Sequence, residues 1–249
     1  MMRILLLLFA CGSTHAAPAM IPAPPQLAAT AYLLLDAKTG KVLAEKNGEQ
    51  RLPPASLTKI MTSYVAAKEL NMGTISLDDE VEVSVRAWSM EGSRMFIREG
   101  TKVSLEDLIR GIVIQSGNDA SVAVAEHIAG TENAFARIMN QYALWLGMTG
   151  TNYVNASGLP DENHFTTAND LAKLSIALIN EFPEHYAIYK ERAFTYGAPG
   201  EERKRQFNRN SLLFRDSTVD GIKTGHTTAA GYCLVASAVR GDMRLVSIV

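Results

Sequence analysis

Strand-like segments occupy both ends of the 249-residue chain, and helical patterns fill the stretch between them. Near the N-terminus, apolar residues 28–36 lead through a turn at 37–40 into the alternating residues 41–46, which predicts a β-hairpin. Three further strand-like segments lie near the other end, at residues 221–224, 231–240 and 243–249. Strands in separate blocks around an all-helical insert predict an α+β fold, with one antiparallel sheet built from both termini.

The residues between these blocks show helical spacing of apolar side chains, interrupted by glycine and proline. Pro53-Pro54 precede the first predicted helix, and Pro183 ends the last. The predicted helices cover residues 56–70, 104–114, 118–128, 131–146 and 167–182. The strictly alternating residues 80–85 predict one short strand within this region.

The charge balance excludes one class of partner. The formal net charge is −2, the pI is about 6.2, and the basic residues are scattered, so no nucleic-acid partner is expected. A hydrophobic content of 47% is ample for a proper core. The five histidines show no metal-ligand spacing, so neither a metal nor a cofactor is expected.

The first seventeen residues have the plan of a secretory signal peptide. Arg3 supplies a positive charge, residues 4–10 are apolar, and small residues precede a cut after Ala16 or Ala17. The apolar run is too short to span a membrane. A lipoprotein cleavage site at Cys11 stays open as an alternative. The chain is therefore expected to be exported, to the periplasm or the outer face of the inner membrane.

Three short motifs follow one another along the chain: Ser56-Leu57-Thr58-Lys59, Ser116-Gly117-Asn118 and Lys223-Thr224-Gly225. Ser56 and Lys59 stand three residues apart, so on a helix they share one face. The third motif lies on a predicted strand. Each pattern alone occurs by chance in a chain of this size. Together and in this order they indicate one site for nucleophilic catalysis.

The chemistry of the set is coherent, because a serine hydroxyl is a good nucleophile only when a base takes its proton. Lys59 can be that base only when neutral, which requires burial and a nearby positive charge to lower its pKa. Lys223 can supply that charge while it holds a carboxylate of the substrate. Ordinary interpretations stay open: Ser56 as a helix residue, and Lys223 as a surface lysine of a strand.

From about residue 28 to residue 249 the chain resembles the D-alanyl-D-alanine carboxypeptidases of the low-molecular-mass penicillin-binding proteins. The resemblance rests on the three motifs and on the longer stretches "PPASLTKIMT", "GSRMFIREGTKVSLEDLIRGIVIQSGNDA", "FNRNSLLF", "VDGIKTGHT" and "AGYCLVASA". It implies a penicillin-binding protein or β-lactamase-like transpeptidase fold. The set shared with class A β-lactamases has Asp where Gly117 stands here.

The resemblance also implies roles for the first two motifs. Ser56 would be acylated, with Lys59 as its base. Ser116 would sit between Lys59 and Lys223 and pass a proton to the leaving amine. Asn118 would orient Lys59 and a substrate amide, although a helix-capping role for Asn118 stays open as well.

The remaining implied roles concern substrate binding. The residues predicted to bind an extended peptide along an edge strand are Lys223, Thr224, Gly225 and His226. The backbone N–H groups of Ser56 and His226 would form the oxyanion hole. The resemblance places Arg209 near the substrate, with a structural ion pair as its alternative. It also places His164 there, with an ordinary surface histidine as the alternative.

The predicted function is that of a serine-type carboxypeptidase, which trims the terminal D-alanine from peptidoglycan pentapeptides. Its partners would be the stem peptide and, as covalent inhibitors, β-lactam antibiotics. An endopeptidase that cuts cross-links with the same residues is the nearest alternative. A non-catalytic wall-binding module is an alternative from another class. A β-lactamase is less favoured, because Glu162 lacks the flanking pattern of a deacylating glutamate.

The domain prediction assigns residues 18–249 to one penicillin-binding peptidase domain. The chain stops inside an apolar strand at Ile248-Val249, so this domain is expected to be truncated at its C-terminal end. After residue 17, no stretch of the sequence is long enough to cross a bilayer. Membrane association is expected only through a segment that this chain does not contain.

Overall fold

The structure is a computed structural model that describes residues 26–198 and 200–249. Its strands are β1 (Tyr32–Asp36), β2 (Val42–Lys46), β3 (Glu80–Glu82), β4 (Lys102–Ser104), β5 (Ala193–Tyr196), β6 (Lys204–Phe207), β7 (Val219–Thr227), β8 (Gly231–Arg240) and β9 (Met243–Ile248). Its α-helices are α1 (Lys59–Met72), α2 (Val85–Trp88), α3 (Leu105–Arg110), α4 (Asn118–Ala129), α5 (Glu132–Trp145), α6 (Ala168–Glu181), α7 (Pro183–Tyr186) and α8 (Leu212–Arg215). The signal peptide predicted for residues 1–17, with its lipoprotein alternative, lies outside the described residues.

The main sheet is antiparallel and brings the two ends of the chain together. Its strand order is β2-β1-β9-β8-β7, so the first strand of the chain pairs directly with the last. Leu33 lies opposite Ile248, and Asp36 lies opposite Leu245. The buried side chains alternate along β1, as in a sheet with one covered face. The predicted α+β fold and its terminal sheet are confirmed.

Helix α1 is the central helix of the domain. It packs against α4, α5 and α6, and its residues Ile60, Met61, Tyr64 and Val65 are almost completely buried. A helix with apolar neighbours on every side belongs in the core rather than at the surface. The turn that precedes α1 contacts β7, one of the two edge strands of the sheet. This contact places the first motif beside the third.

Several predicted boundaries differ from the structure. The α-helix expected from residue 56 begins at Lys59, because Ala55–Thr58 form a 3₁₀ turn. The helix expected over 104–114 ends at Arg110, and Gly111–Gln115 continue as a π-helical turn. The strand expected over 80–85 ends at Glu82, since Ser84 caps α2 through its side chain.

The β5–β6 hairpin was not predicted, and it matters for the site. Its strands pair from Ala193 opposite Phe207 to Tyr196 opposite Lys204. The segment around it is polar and charged, and its strands are only four residues long, so its pattern is weak. Within residues 26–198 and 200–249, none of the helices combines the length and apolarity needed to cross a bilayer.

Candidate active site

Ser56 and Lys59 lie at the junction between the 3₁₀ turn and α1. Ala55 adopts a left-handed backbone with φ of 47°, a conformation that costs a non-glycine residue about 1 kcal/mol. Gly158, with φ of 84°, packs directly on this turn, since a Cβ there would lie 1.8 Å from the Ala55 carbonyl oxygen. The turn is therefore clamped between α1 and the loop that contains Gly158.

The Lys59 amine makes three hydrogen bonds in a completely buried position. Its Nζ lies 3.0 Å from Ser56 Oγ, 2.7 Å from Asn118 Oδ1 and 2.6 Å from the Ser157 carbonyl oxygen. The last two atoms can only accept. A neutral amine has two hydrogens and one lone pair. If those acceptors take the two hydrogens, the lone pair is left for the Ser56 hydroxyl.

The electrostatics of Lys59 favour this neutral form. Burial, and next the charge of Lys223, hold the pKa of Lys59 well below the ordinary lysine value of 10.5, while Asp119 acts in the opposite direction. Burial lowers a lysine pKa because the charged form loses its water. The amine is thus suited to accept the Ser56 proton.

Ser116 and Lys223 form a second buried pair. Ser116 follows the π-helical turn in a left-handed conformation with φ of 66°. Lys223 Nζ donates to Ser116 Oγ at 2.9 Å and to the Thr224 carbonyl oxygen at 3.1 Å. Burial, and next the charge of Arg209, lower the pKa of Lys223 to about 7. Ser116 was predicted to lie between Lys59 and Lys223. Among the described residues it is bonded to Lys223 but not to Lys59.

The Asn118 side chain bonds to Lys59 rather than capping the helix. Gly117 is the N-cap residue of α4, so the capping alternative for Asn118 is wrong. The Asn118 side chain accepts from Lys59 through Oδ1 and donates from Nδ2 to the Glu91 carbonyl oxygen at 2.6 Å. Both ends of the amide are therefore fixed by the protein, and one Nδ2 hydrogen remains for a substrate.

Asp119 is a structural anchor that the sequence analysis missed. Its buried carboxylate accepts the N–H groups of Met95, Phe96 and Ile97 in succession. Burial raises the pKa of Asp119, and these hydrogen bonds oppose the rise. A Cβ on Gly117 would lie 2.8 Å from Asp119 Oδ1. This crowding accounts for glycine at the middle position of the second motif.

Strand β7 forms the other wall of the site. Gly225 packs on the nucleophile turn, because a Cβ there would lie 3.2 Å from Ser56 N and from the Pro54 carbonyl oxygen. Thr224 is half-buried and His226 is exposed. The His226 ring stacks on that of Tyr232, with centroids 4.2 Å apart. β7 is an edge strand, as the strand-addition hypothesis requires.

The structure separates the two remaining predicted residues. The His164 side chain is only 2% exposed: its Nε2 lies 2.8 Å from Thr58 Oγ1, and its Nδ1 accepts from Val154 N–H at 3.1 Å. Because both ring nitrogens are bonded to the protein, His164 supports the nucleophile turn, and neither the substrate-contact nor the surface prediction for it holds. Arg209 is exposed, and its ion-pair alternative has no acidic partner among the described residues.

A second support runs through the loop that holds Ser157. Glu132, which is 3% exposed, accepts from Ala156 N–H at 3.1 Å and forms an ion pair with Arg86. The Ala156 carbonyl in turn accepts from Thr62 Oγ1 at 2.7 Å. A main-chain acceptor such as the Ser157 carbonyl cannot be recognised from the sequence. Glu132 has the pattern of an ordinary acidic residue in the first turn of a helix.

Comparison with known proteins places this geometry in a family. A family profile described as D-alanyl-D-alanine carboxypeptidase matches residues 18–249. The D-alanyl-D-alanine carboxypeptidase DacC of Escherichia coli is 48% identical over 232 residues, which cover 90% of this chain and 57% of that protein. The chain thus spans little more than half the length of such relatives.

Solved structures of such proteins share the fold of this chain. Penicillin-binding protein 5 of Haemophilus influenzae has a TM-score of 0.87 at 44% identity, covering 92% of this chain and 66% of that one. The carboxypeptidase DacD of Francisella tularensis also has a TM-score of 0.87, at 37% identity, covering 94% and 68%.

Two more distant matches bear on the alternatives. The D-alanyl-D-alanine endopeptidase of Pseudomonas aeruginosa is 31% identical over 226 residues, covering 86% of this chain and 68% of that protein. An ampicillin-bound form of penicillin-binding protein D2 from Listeria monocytogenes has a TM-score of 0.78 at 29% identity, covering 92% and 91%. On the extent of the profile match and the shared fold, this chain belongs to the D-alanyl-D-alanine carboxypeptidase family.

Proposed function

We propose that this protein is a serine-type D-alanyl-D-alanine carboxypeptidase, which removes the terminal D-alanine of peptidoglycan pentapeptides through an acyl-enzyme on Ser56. The observation that carries the proposal is the buried contact of 3.0 Å between Lys59 Nζ and Ser56 Oγ. Two acceptor oxygens on the same amine direct its lone pair at the hydroxyl. Membership in the family supports the same activity.

In the acylation step, Lys59 takes the Ser56 proton while Oγ attacks the carbonyl carbon of the penultimate D-alanine. The oxyanion that forms is directed at the N–H groups of Ser56 and His226, because Gly225 lets β7 approach the nucleophile turn closely. Ser116, held by Lys223, gives a proton to the amine of the departing D-alanine and regains one from Lys59, which is neutral again after the step. The C–N bond breaks and an ester on Ser56 remains.

Deacylation uses water as the nucleophile. Water attacks the ester carbonyl while Lys59 accepts a proton from it, and Lys59 returns that proton to Ser56 Oγ when the ester C–O bond breaks and the tetrapeptide leaves. The terminal carboxylate of the pentapeptide is assigned to Lys223 and to the Thr224 hydroxyl. A bound carboxylate would raise the pKa of Lys223 above its value of about 7 and keep the amine charged.

Two further proposals follow from the same site. β-Lactams would acylate Ser56, as a strained amide that mimics the acyl donor, and an ampicillin-bound structure of a relative supports this. Export to the periplasm or the outer face of the inner membrane would bring the enzyme to its substrate, and the signal-peptide pattern of residues 1–17 supports it. The intact Ser56–Lys59 contact argues against a non-catalytic binding module.

The endopeptidase is the second candidate, supported by the 31% identical relative of that name. A carboxypeptidase must recognise a free terminal carboxylate, whereas an endopeptidase cuts within a cross-link. Amidating the C-terminus of a Lys-D-Ala-D-Ala peptide should therefore cost about 2–3 kcal/mol of transition-state stabilisation if the carboxylate is recognised.

The test combines labelling with turnover. A fluorescent penicillin should label the full chain, mass spectrometry should locate the adduct on Ser56, and Ser56→Ala should abolish it. The unmodified protein, without the penicillin label, should release D-alanine from the free-acid peptide faster than from its amide or a cross-linked dimer. An adduct on another residue would refute the nucleophile. Equal rates on acid and amide, with faster cleavage of the dimer, would favour the endopeptidase.

A further inference from the structure

Strand β7 contains a β-bulge at Asp220. The adjacent residues Ala238 and Ser237 of β8 pair with Val219 and Gly221, so Asp220 is an extra residue on β7. One extra residue shifts the pairing of all that follows by one position, and such a shift moves side chains to the other face of a sheet. The bulge therefore decides which side chains of β7 are directed at the site.

The position of the Lys223 amine depends on this bulge. Lys223 lies opposite Val235, which is completely buried, so both side chains are on the covered face of the sheet. Without the extra residue, the register that begins at Val219 would place Lys223 opposite Leu234 and on the other face. The hydrogen bond of 2.9 Å from Lys223 Nζ to Ser116 Oγ therefore requires the bulge.

The Asp220 carboxylate is bonded from two sides. The Tyr186 hydroxyl donates to Oδ1 at 3.0 Å, and Nη1 of Arg244, on β9, donates to Oδ2 at 2.8 Å. The same nitrogen of Arg244 donates to Ser237 Oγ at 2.8 Å. The side chains of Asp220 and Arg244 are 18% and 27% exposed, so their ion pair is largely shielded from solvent ions. The extra residue of the bulge is thus tied to the neighbouring strands.

The backbone of the bulge is fixed as well. A Cβ on Gly221 would lie 2.5 Å from the Tyr186 hydroxyl oxygen, so this side chain packs directly on the main chain. Asn210, which is 1% exposed, donates from Nδ2 to the Gly221 carbonyl oxygen at 3.1 Å. The bulge is therefore held by contacts from three separate segments of the chain, at Tyr186, Asn210 and Arg244.

The segment that contains Tyr186 also contacts the helix that carries Lys59. His185 Nε2 lies 2.7 Å from Ser63 Oγ, and Ser63 stands four residues after Lys59 on α1. The Tyr186 ring stacks on the buried ring of Tyr189, with centroids 5.4 Å apart. The neighbours His185 and Tyr186 thus join α1 to the bulge of β7. Contacts that fix both elements also fix the relative positions of the two lysines that they carry.

We propose that Asp220 and Tyr186 are positioning residues of the reaction: they fix the bulge that directs Lys223 at Ser116 and at the terminal carboxylate of the substrate. The proposal rests on the proposed function, which assigns that carboxylate to Lys223. Bulges beside active sites commonly re-aim a side chain in this way. Loosening this bulge should weaken recognition of the carboxylate without removing the nucleophile or its base.

Lysine footprinting tests the position of Lys223 without any turnover. The full chain is treated with acetic anhydride, and mass spectrometry measures the acetylation of each lysine. In the unmodified protein Lys223 and Lys59 should both be protected, because they are 2% and 0% exposed. Asp220→Ala should raise the acetylation of Lys223 about fivefold or more through local opening of β7, while Lys59 stays protected. Asp216→Ala removes a neighbouring ion pair of 2.9 Å with Arg240, so it is the matched control and should leave Lys223 protected.

Two milder variants keep the test valid if Asp220→Ala does not fold, and both are footprinted too. Tyr186→Phe removes only the hydroxyl, and Asp220→Asn keeps an acceptor for that hydroxyl but loses the charge that Arg244 meets. D-Alanine release is then measured from Lys-D-Ala-D-Ala and from its C-terminal amide. The preference for the acid, about 30- to 140-fold in kcat/KM for the unmodified protein, should fall about threefold or more, mainly through a higher KM for the acid. Asp216→Ala should keep the preference.

The footprint separates this proposal from the proposed function. Acetylation of Lys223 in the Asp220 or Tyr186 variants, with Lys59 still protected, supports the positioning role even if no D-alanine is released. Protection of Lys223 in every folded variant refutes it even if the enzyme is a carboxypeptidase. A preference for the acid that falls equally in Asp216→Ala also refutes it, because the effect would then be general to this end of the strand.

Discussion

Lys59 and Lys223 are 0% and 2% exposed, and their side-chain nitrogens bond to acceptors of the protein, Asn118 and Ser116 among them. Arg94 and Arg205 line an adjacent cleft of about 1000 Å³ between residues 94–98 and the β5–β6 hairpin. Their guanidinium groups lie on the faces of exposed phenylalanine rings and bond to no acidic side chain among the described residues. One region keeps its charges away from water, and the other presents them to it. Their electrostatics should therefore differ in strength and in response to solvent.

Burial is what converts the first region into a chemical site. Loss of water around the charged form, and next a nearby positive charge, lowers the pKa of both lysines. An exposed guanidinium keeps its charge and has only moderate, screened attraction for an anion. Such a contact can select a substrate but cannot drive proton transfer.

The largest expected effect comes from replacing the base. Lys59→Arg should lower acylation by a fluorescent penicillin by roughly 10²–10⁴-fold, because a guanidinium does not give up its proton near neutral pH. In the unmodified protein the acylation rate should rise with pH, with an apparent pKa well below 10.5. A thermal melt checks that the variant is folded. Rapid acylation by a folded Arg variant would refute Lys59 as the base.

The second effect concerns the buried support of the nucleophile turn. Burial lowers the pKa of His164 to about 4, against the attraction of Asp161. The unfolded chain takes up the proton first, near pH 6.5. The free energy of unfolding should therefore fall by about 3 kcal/mol as the pH drops from 6.5 through 4.

The measurement is urea unfolding at a series of pH values for the unmodified protein, His164→Gln and His185→Gln. His185 also has a pKa lowered to about 4 by burial, so it contributes a separate share. Each variant should lose its own part of the acid sensitivity. An unchanged slope in His164→Gln would mean that this histidine is not buried in neutral form.

A third prediction tests whether the Lys59 environment depends on the Glu132 support. Glu132→Ala removes the acceptor of Ala156 N–H and the partner of Arg86, and should lower the free energy of unfolding by about 1–3 kcal/mol. Glu132→Gln keeps an acceptor oxygen and should cost less. If the Ser157 carbonyl moves in the Ala variant, the pH profile of acylation should shift as well. A loss of stability with an unchanged pH profile of acylation would show that the Glu132 support does not affect Lys59.

How far the sequence determined this picture differs between the same two regions. The terminal sheet, the central helix and the order of the three motifs were predictable, because period-2 and period-3.6 patterns are long there. The Ser56–Lys59 contact was predictable from the three-residue spacing, and the contact of Asn118 with Lys59 followed from the family resemblance. The Ser157 carbonyl was not predictable, since a backbone acceptor belongs to no residue type. The boundary at Lys59 was missed because a 3₁₀ turn and an α-helix share apolar spacing over four residues.

The cleft was harder to foresee. Its walls come from residues 94–98 and from a hairpin about a hundred residues later, and each short, polar segment reads as a loop. Arg205 and Phe207 stand two residues apart on β6, which places their side chains on one face, whereas Arg94 meets Phe96 outside any strand, at a left-handed backbone. The mixed charges of residues 201–205 indicate a solvated surface loop, and the sequence does not show that they lie near Arg209.

The smallest expected effect is also the most direct test of the difference between the regions. Raising NaCl from about 0.05 to 0.5 M shortens the screening length well below 10 Å, which weakens exposed charge contacts far more than buried ones. The Arg98–Glu201 ion pair, whose side chains are 59% and 36% exposed, joins the two walls of the cleft. Arg98→Gln should lower the free energy of unfolding by at most about 1 kcal/mol at low salt and by less at high salt. Acylation by a fluorescent penicillin should change by less than about twofold, since Lys59 and Lys223 are shielded from the ions. If acylation fell steeply with salt, the two lysines would be open to solvent, and the contrast between a buried catalytic centre and an exposed cleft would be wrong.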